Sequence, residues 1–135
     1  MLGVLIISHG DLAAGLLNAA EMIMGAQEQV RAEGLQPEMS PESFGETLRA
    51  AVKELDSGDG VLVLADLFGG SPANTAAYLL HEEFNVDVVT GVSLPMLLEV
   101  LTARMGKDLA DVADLCATAA GQGVQKLSDV FSGNN

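Results

Sequence analysis

Two side chains in this sequence have the types and positions needed for nucleophilic chemistry: His9 and Asp66, each of which ends an apolar run. A neutral imidazole is available as a nucleophile near neutral pH, because the unperturbed pKa of histidine is about 6.5. A carboxylate that accepts the proton of one ring nitrogen fixes the tautomer and directs the lone pair of the other nitrogen outward. Such a pair could take up and pass on a phosphoryl group, with the carboxylate stabilising positive charge on the ring.

The residues beside this pair could also hold a phosphate. Gly10 precedes one predicted helix start, and Gly70 and Ser71 stand at another. Helix N-termini offer unpaired N–H groups and a partial positive charge. Glycine lets the backbone approach an anion closely, and a serine hydroxyl can donate a hydrogen bond. Each feature alone is also typical of a turn or a helix cap, so the hypothesis depends on their combination.

The other histidine and the single cysteine are predicted to have structural roles. His81 falls near the end of a predicted helix, where a histidine can interact with the last carbonyls. Cys116 lies in an Ala- and Leu-rich stretch and is predicted to pack in the core. One cysteine permits neither an internal disulfide nor a cysteine-based zinc site. We also expect no metal and no cofactor.

The pattern of apolar residues predicts the elements that must position these side chains. Unbroken apolar runs indicate strands covered on both faces, a four-residue apolar spacing indicates helices, and glycine and proline mark their ends. Strands are predicted at 2–7, 29–36, 61–65 and 86–90, and helices at 11–24, 41–56, 71–83, 95–104 and 108–121. The tail at 122–131 is predicted as a possible further strand, and 132–135 as a frayed end.

Strands that alternate with helices over the whole length indicate right-handed βαβ units and a doubly wound, mainly parallel sheet. The length suits a single α/β domain, which we place at residues 1–131. Ligands of such sheets gather outside the carboxyl ends of the strands, where neighbouring strands send their helices to opposite faces. His9 and Asp66 both stand at carboxyl ends. The sequence therefore predicts that they meet at one edge of the sheet.

Composition limits the partners and the compartment. Nineteen acidic and six basic residues give a net charge of −13, which repels a phosphate backbone and argues against nucleic-acid binding. The same charge favours a protein partner that docks with a positive face. There is no basic flank typical of a signal peptide and no apolar stretch of about 18 residues, and the cysteine usage suits a reducing compartment. We therefore expect a cytoplasmic protein.

Three sequence blocks stand at the predicted strand ends and helix starts. They are Ile7-Ser8-His9-Gly10, Ala65-Asp66-Leu67-Phe68-Gly69-Gly70-Ser71-Pro72-Ala73-Asn74, and Gly91-Val92-Ser93-Leu94-Pro95-Met96-Leu97. In order and spacing they resemble the IIA component of the bacterial sugar phosphotransferase system (PTS), mannose family. The resemblance covers about residues 1–130, which is nearly the whole chain.

This resemblance implies a phosphotransferase in which His9 is phosphorylated, Asp66 is its hydrogen-bonding partner, and Ser71 with neighbouring amides holds the phosphate. The phosphoryl group would come from the phosphocarrier HPr and pass to a IIB component, and the membrane components IIC and IID would be reached only indirectly. The resemblance also implies a sheet of order 2-1-3-4 and a homodimer in which a strand at 122–131 is exchanged between subunits.

Other functions remain as alternatives. The similar domain of the PTS-dependent dihydroxyacetone kinase also carries phosphate on histidine, but passes it to a nucleotide on a kinase subunit. A histidine phosphatase would have an arginine where Ser8 stands, and a receiver domain would have acids for magnesium after the first strand. A P-loop enzyme would have a Gly-x-x-x-x-Gly-Lys-Ser/Thr motif, which is absent. A non-catalytic regulatory module is a further alternative.

Overall fold

The computed structural model describes residues 1–132, and the predicted end at 132–135 lies outside them except for Ser132. Within this part of the chain, strands and helices alternate as the sequence predicts up to the tail. The elements are β1 (Gly3–His9), α1 (Leu12–Met24), β2 (Val30–Leu35), α2 (Pro41–Leu55), β3 (Val61–Ala65), α3 (Ser71–Ala77), a 3₁₀ helix (Tyr78–His81), β4 (Val86–Thr90), α4 (Leu94–Ala103), α5 (Leu109–Gln122) and α6 (Leu127–Val130).

The four strands form one parallel sheet in the order β2-β1-β3-β4. This is the order that the family resemblance implies, and the α/β fold is confirmed. The two most apolar strands, β1 and β3, are neighbours at the centre of the sheet. The weakly alternating segment around residues 29–36 is the edge strand β2, as predicted. The chemistry-bearing residues therefore follow the two central strands.

Each face of the sheet has its own apolar cluster, because successive side chains of a strand point to opposite faces. On one face α1, α4 and α5 pack against Val4, Ile6, Leu62 and Leu64. On the other face α2 and α3 pack against Leu5, Ile7, Val61, Val63 and Ala65. The sheet is covered on both sides, which explains why its central strands are almost uninterrupted runs of apolar residues.

The helix predicted over 71–83 is shorter in the structure. α3 ends at Ala77 and the chain continues as the 3₁₀ helix Tyr78–His81. Leu79 is buried in the cluster below α2 and α3, whereas Leu80 and His81 are exposed. Apolar spacing does not distinguish an α-turn from a 3₁₀ turn, so the sequence pattern could not locate this change.

The prediction of a strand at 122–131 is wrong for the single chain. α5 runs to Gln122, and α6 follows at Leu127–Val130. The N–H of Phe131 donates to the Leu127 carbonyl at 2.9 Å, so this turn satisfies its own backbone groups. A strand at this position would need a neighbouring edge to pair with, and a helical turn does not. Val124, Leu127 and Phe131 remain exposed.

Candidate functional site

The carboxyl ends of β1 and β3 create the candidate site. Ile7 pairs with Ala65 in the register of the two strands, and the N–H of Asp66 donates to the Ile7 carbonyl at 3.2 Å. The ladder therefore continues past the end of β3 and holds Asp66 beside β1. From this point α1 covers one face of the sheet and α3 covers the other. This is the switch point at which doubly wound sheets bind ligands.

His9 and Asp66 are in direct contact there. The Nδ1 atom of His9 lies 2.7 Å from Oδ2 of Asp66, and the backbone N–H of His9 donates to the same oxygen at 2.9 Å. The His9 side chain is 52 % exposed, whereas that of Asp66 is 10 % exposed. The carboxylate thus holds the Nδ1 side of the imidazole, and the rest of the ring reaches the surface.

The charge on Asp66 determines the tautomer of His9. Burial by itself raises the pKa of Asp66, but the hydrogen bonds from the His9 backbone and ring and the charge of the ring together lower it below its ordinary value. Asp66 is therefore ionised at neutral pH and can only accept hydrogen bonds. The proton of a neutral His9 ring must then lie on Nδ1, which leaves the lone pair on Nε2. The stability that ionised Asp66 contributes is present at neutral pH and is lost as the pH falls through this lowered pKa.

The loop before α3 packs against the free side of the imidazole. A Cβ atom added at Gly70 would lie 2.9 Å from Cε1 and 3.6 Å from Nε2 of His9, so any side chain there would force the imidazole to shift. The side chain of Asn74 donates to the Gly69 carbonyl at 3.3 Å and its backbone N–H donates to the Gly70 carbonyl at 2.9 Å, which holds the loop closed. Ser71, the first residue of α3, is exposed directly after this loop.

Gly10 makes the turn that follows His9. Its φ of 53° lies in the left-handed region that glycine adopts without strain. Its N–H donates to the Leu35 carbonyl of β2 at 2.9 Å, so this amide is already engaged. The N–H of Gly70 likewise contacts the Leu67 carbonyl, at 3.3 Å. The amides of Gly10 and Gly70 therefore already have partners. Ser71, the third residue predicted to hold phosphate, is exposed at the start of α3.

The surface around His9 combines a groove with exposed apolar side chains. A groove of about 310 Å³ adjoins the ring and is lined by His9, Gly10, Leu35, Gln36, Pro37 and Met39. Phe68 is 85 % exposed in the loop before α3, and Leu12 and Leu67 are more than half exposed. Exposed apolar residues grouped at one place on a surface are typical of a protein-docking site.

The other two candidate residues lie away from this site. His81 is exposed at the end of the 3₁₀ helix, as predicted for a helix-terminal residue. Cys116 is fully buried between α5 and the sheet. Burial, and then the negative charge of Asp87, raises the pKa of its thiol to about 11, so it is an unreactive core residue at neutral pH. Within residues 1–132 there is no cluster of three metal-ligating side chains.

Ser8, Gly34 and Asn74 also belong to the site, although the sequence pattern does not predict a role for them there. Ser8 is fully buried, and its hydroxyl accepts from the N–H of Ala13 at 2.8 Å while donating to the Gly10 carbonyl at 3.3 Å. Gly34 packs against Gly10 from β2. A glycine inside an edge strand was the available signal for Gly34, since it often marks a close backbone approach.

These features define a class: a doubly wound α/β protein with a histidine–carboxylate pair at its switch point. The sequence model of the EIIA-man family, described as the PTS system fructose IIA component, matches residues 3–117. The chain therefore belongs to the EIIA-man family of PTS IIA components. Among the residues that the structure describes, no helix has the length and apolar character needed to cross a bilayer.

Individual relatives agree with this assignment. The chain is 39 % identical over 103 residues to the PTS system mannose-specific EIIAB component of Escherichia coli, covering 76 % of this chain but only 32 % of that protein. It is 33 % identical over 135 residues to the PTS system fructose-specific EIIA component of Bacillus subtilis, covering 96 % of this chain and 88 % of the relative. The crystal structure of a phosphotransferase system component EIIA from Streptococcus agalactiae superposes with a TM-score of 0.87 at 30 % identity, covering 95 % and 98 % of the two chains.

Proposed function

We propose that the protein is a phosphoryl carrier of a PTS sugar uptake system, in which Nε2 of His9 takes up the phosphoryl group. The observation that supports this most directly is the 2.7 Å contact between Nδ1 of His9 and a largely buried, ionised Asp66. It leaves Nε2 as an unprotonated nucleophile on a half-exposed ring. Family membership supports the same role.

In the proposed step, the lone pair of Nε2 attacks the phosphorus of a phosphohistidine on the donor protein. A new N–P bond forms as the N–P bond of the donor breaks, and its electron pair returns to the donor nitrogen. The proton stays on Nδ1, and Asp66 stabilises the positive charge that develops on the His9 ring. Transfer to the acceptor protein is the same step in reverse. Such transfer requires mainly positioning and charge stabilisation.

The transferred phosphoryl group needs donors on its oxygens. We propose that the Ser71 hydroxyl and the first free N–H groups of α3 supply them, because Ser71 directly follows the glycine that packs on the His9 ring. Gly70 contributes by allowing this close approach. Gly10 contributes its turn rather than its amide, which is engaged with Leu35.

The proposed partners are the phosphocarrier HPr as donor and a PTS IIB component as acceptor, in the cytoplasm, with the membrane components IIC and IID reached only through IIB. The net charge of −13 favours partners that present a positive face. The apolar group Leu12, Leu67 and Phe68 beside His9 would be covered in such a complex. No deep pocket is needed for this function, because the partner protein forms the other half of the site.

Incubation with phosphoenolpyruvate, the general transferase of the PTS and HPr tests the proposal. We expect mass spectrometry to find one phosphoryl group on the protein, bound to His9. The phosphorylated protein is then offered separately to a IIB component and to the kinase subunit of a dihydroxyacetone kinase. Transfer to the kinase subunit alone would assign the protein to that pathway, and no uptake from HPr would reject the carrier function.

Replacing Phe68 by alanine should weaken docking without affecting the chemical step. Aromatic side chains at the centre of an interface commonly contribute more than about 1 kcal/mol, so we expect KM for phosphorylated HPr to rise about fivefold or more with kcat nearly unchanged. Steady-state transfer kinetics measure both constants. Met105, which is 74 % exposed in the loop after α4, provides the matched control M105A. Equal KM values for F68A and M105A would remove Phe68 from the interface.

Removing the tail tests the proposed homodimer. The family resemblance implies that the tail is exchanged between subunits, and Val124, Leu127 and Phe131 are exposed in the single chain. We expect a variant that lacks residues 124–135 to be monomeric by light scattering, whereas removal of 133–135 alone leaves the dimer intact. A dimer that persists without residues 124–135 would contradict tail exchange.

A further inference from the structure

Gly34 has a backbone conformation that any residue could adopt, so its conformation does not explain why it is a glycine. It lies in β2, opposite Ser8 of β1, and its φ is not positive. Glycine inside a strand is unfavourable by roughly 0.5–1 kcal/mol relative to alanine. A glycine retained in an ordinary strand conformation indicates that space, rather than backbone freedom, is what the position requires.

The space in question is occupied by the turn after His9. A Cβ atom added at Gly34 would overlap the carbonyl oxygen of Gly10 and would lie 3.0 Å from its carbonyl carbon, whereas real Cβ contacts are essentially never under 3.0 Å. Both atoms belong to the backbone, so no side chain can swing away to relieve the clash. Any side chain at position 34 must displace the turn itself.

The turn at Gly10 is also held in place by hydrogen bonds. The buried Ser8 hydroxyl donates to it at 3.3 Å, and the N–H of Gly10 donates to the Leu35 carbonyl at 2.9 Å. His9 directly precedes this fixed peptide. Its backbone N–H and its Nδ1 both contact the same Asp66 oxygen, so the imidazole can keep that geometry only while the turn stays where it is.

We propose that Gly34 is a positioning residue for His9: its missing side chain leaves the space in which the Gly10 carbonyl lies, and this sets the imidazole against Asp66. The proposal concerns the rate of the carrier function and so depends on the proposed role of His9. Alanine at position 34 displaces the turn by a distance on the order of 1 Å, and a misplacement of that size can lower a rate by about 10²-fold.

The test compares Gly34→Ala with two matched variants. Ala32→Gly weakens the same edge strand without touching the turn, and Gly15→Ala adds a methyl group where nothing lies within 4 Å. Two quantities are measured on each protein: the ¹⁵N NMR signals of the His9 ring in the free protein, and kcat and KM for uptake from phosphorylated HPr. We expect G34A to lose the spectrum of the Nδ1-protonated ring and to lower kcat by about 10-fold to 100-fold, with KM nearly constant. A32G and G15A should match the wild type in both.

Three outcomes would overturn the proposal. G34A could keep the wild-type ring spectrum and kcat, or A32G could lose as much kcat as G34A at a similar melting temperature. If G34A does not fold, Ser8→Ala removes the hydroxyl that holds the Gly10 carbonyl, and a wild-type ring spectrum in S8A would show that this carbonyl does not control His9. Failure of the wild type to take up phosphate would reject the carrier function, whereas the ring spectra would still decide the role of Gly34.

Discussion

We expect phosphoryl uptake to be lost completely when His9 is replaced by alanine, and we expect His81→Ala to take up phosphate at the wild-type rate. Alanine provides no lone pair for attack on phosphorus, and among the described residues His9 is the only one whose side chain is hydrogen-bonded to the Asp66 carboxylate. His81 is exposed at the end of the 3₁₀ helix, so its removal leaves the site intact. The measurement is the amount of phosphoryl group bound per protein after incubation with phosphoenolpyruvate, the general transferase and HPr.

A second substitution at the same position separates chemistry from folding. His9→Ala leaves the largely buried Asp66 carboxylate without its ring partner, which costs about 1–3 kcal/mol of stability. His9→Asn keeps a side-chain N–H that can donate to Asp66 but has no nucleophilic nitrogen. We expect H9N to melt closer to the wild type than H9A does and to take up no phosphate. Uptake by either variant, or equal loss in H81A, would contradict the assignment of His9.

The substitution with the second largest expected effect is Asp66→Asn, which should fold and still slow transfer on the order of 10²-fold. An amide oxygen can accept the hydrogen bonds of His9, but it carries no charge to stabilise the positive ring. If the amide group turns instead, its NH₂ donates to Nδ1, the ring proton moves to Nε2, and the nucleophile is blocked. Single-turnover transfer from phosphorylated HPr measures the rate of the step directly.

Asp56 supplies a matched control for this substitution. Its carboxylate accepts two backbone N–H groups, from Gly58 at 2.8 Å and Gly60 at 3.0 Å, in the turn before β3. This turn precedes the amino end of β3, at the opposite edge of the sheet from His9. We expect Asp56→Asn to transfer at the wild-type rate even if it melts earlier. Equal rates in D66N and the wild type would remove Asp66 from the mechanism.

The meeting of His9 with Asp66 is the part of the site that the sequence predicts well. Each residue ends an unbroken apolar run, and such runs indicate central strands of a parallel sheet. The carboxyl ends of parallel strands lie at one edge, so the proximity follows from the fold class without knowledge of the register. The order of the strands, in contrast, came from the resemblance to the family, because the apolar pattern alone does not show which strands lie next to each other in the sheet.

The sequence pattern could not predict the contacts that position the His9 ring. Gly34 and Gly10 belong to different strands and turns, and their close approach depends on the register Ser8–Gly34. The role of Ser8 depends on the same turn, since its hydroxyl bonds both the Gly10 carbonyl and the N–H of Ala13. The strand predicted at 122–131 is wrong for another reason: the apolar pattern does not show whether an edge is available for pairing, and the single chain forms the helical turn Leu127–Val130 there instead.

The apolar clusters on the two faces of the sheet are separate, and this affects how substitutions in the two helical layers should combine. The chain runs from His9 through Gly10 into α1, which belongs to one layer, and from Asp66 through Gly69 and Gly70 into α3, which belongs to the other. Substitutions in one layer should combine additively with those in the other, because distant sites without shared partners rarely couple. An entire helical layer could then be exchanged for that of a homologue while the reacting pair survives, as long as Ile7 and Ala65 remain opposite one another and Gly34 and Gly70 keep their close contacts.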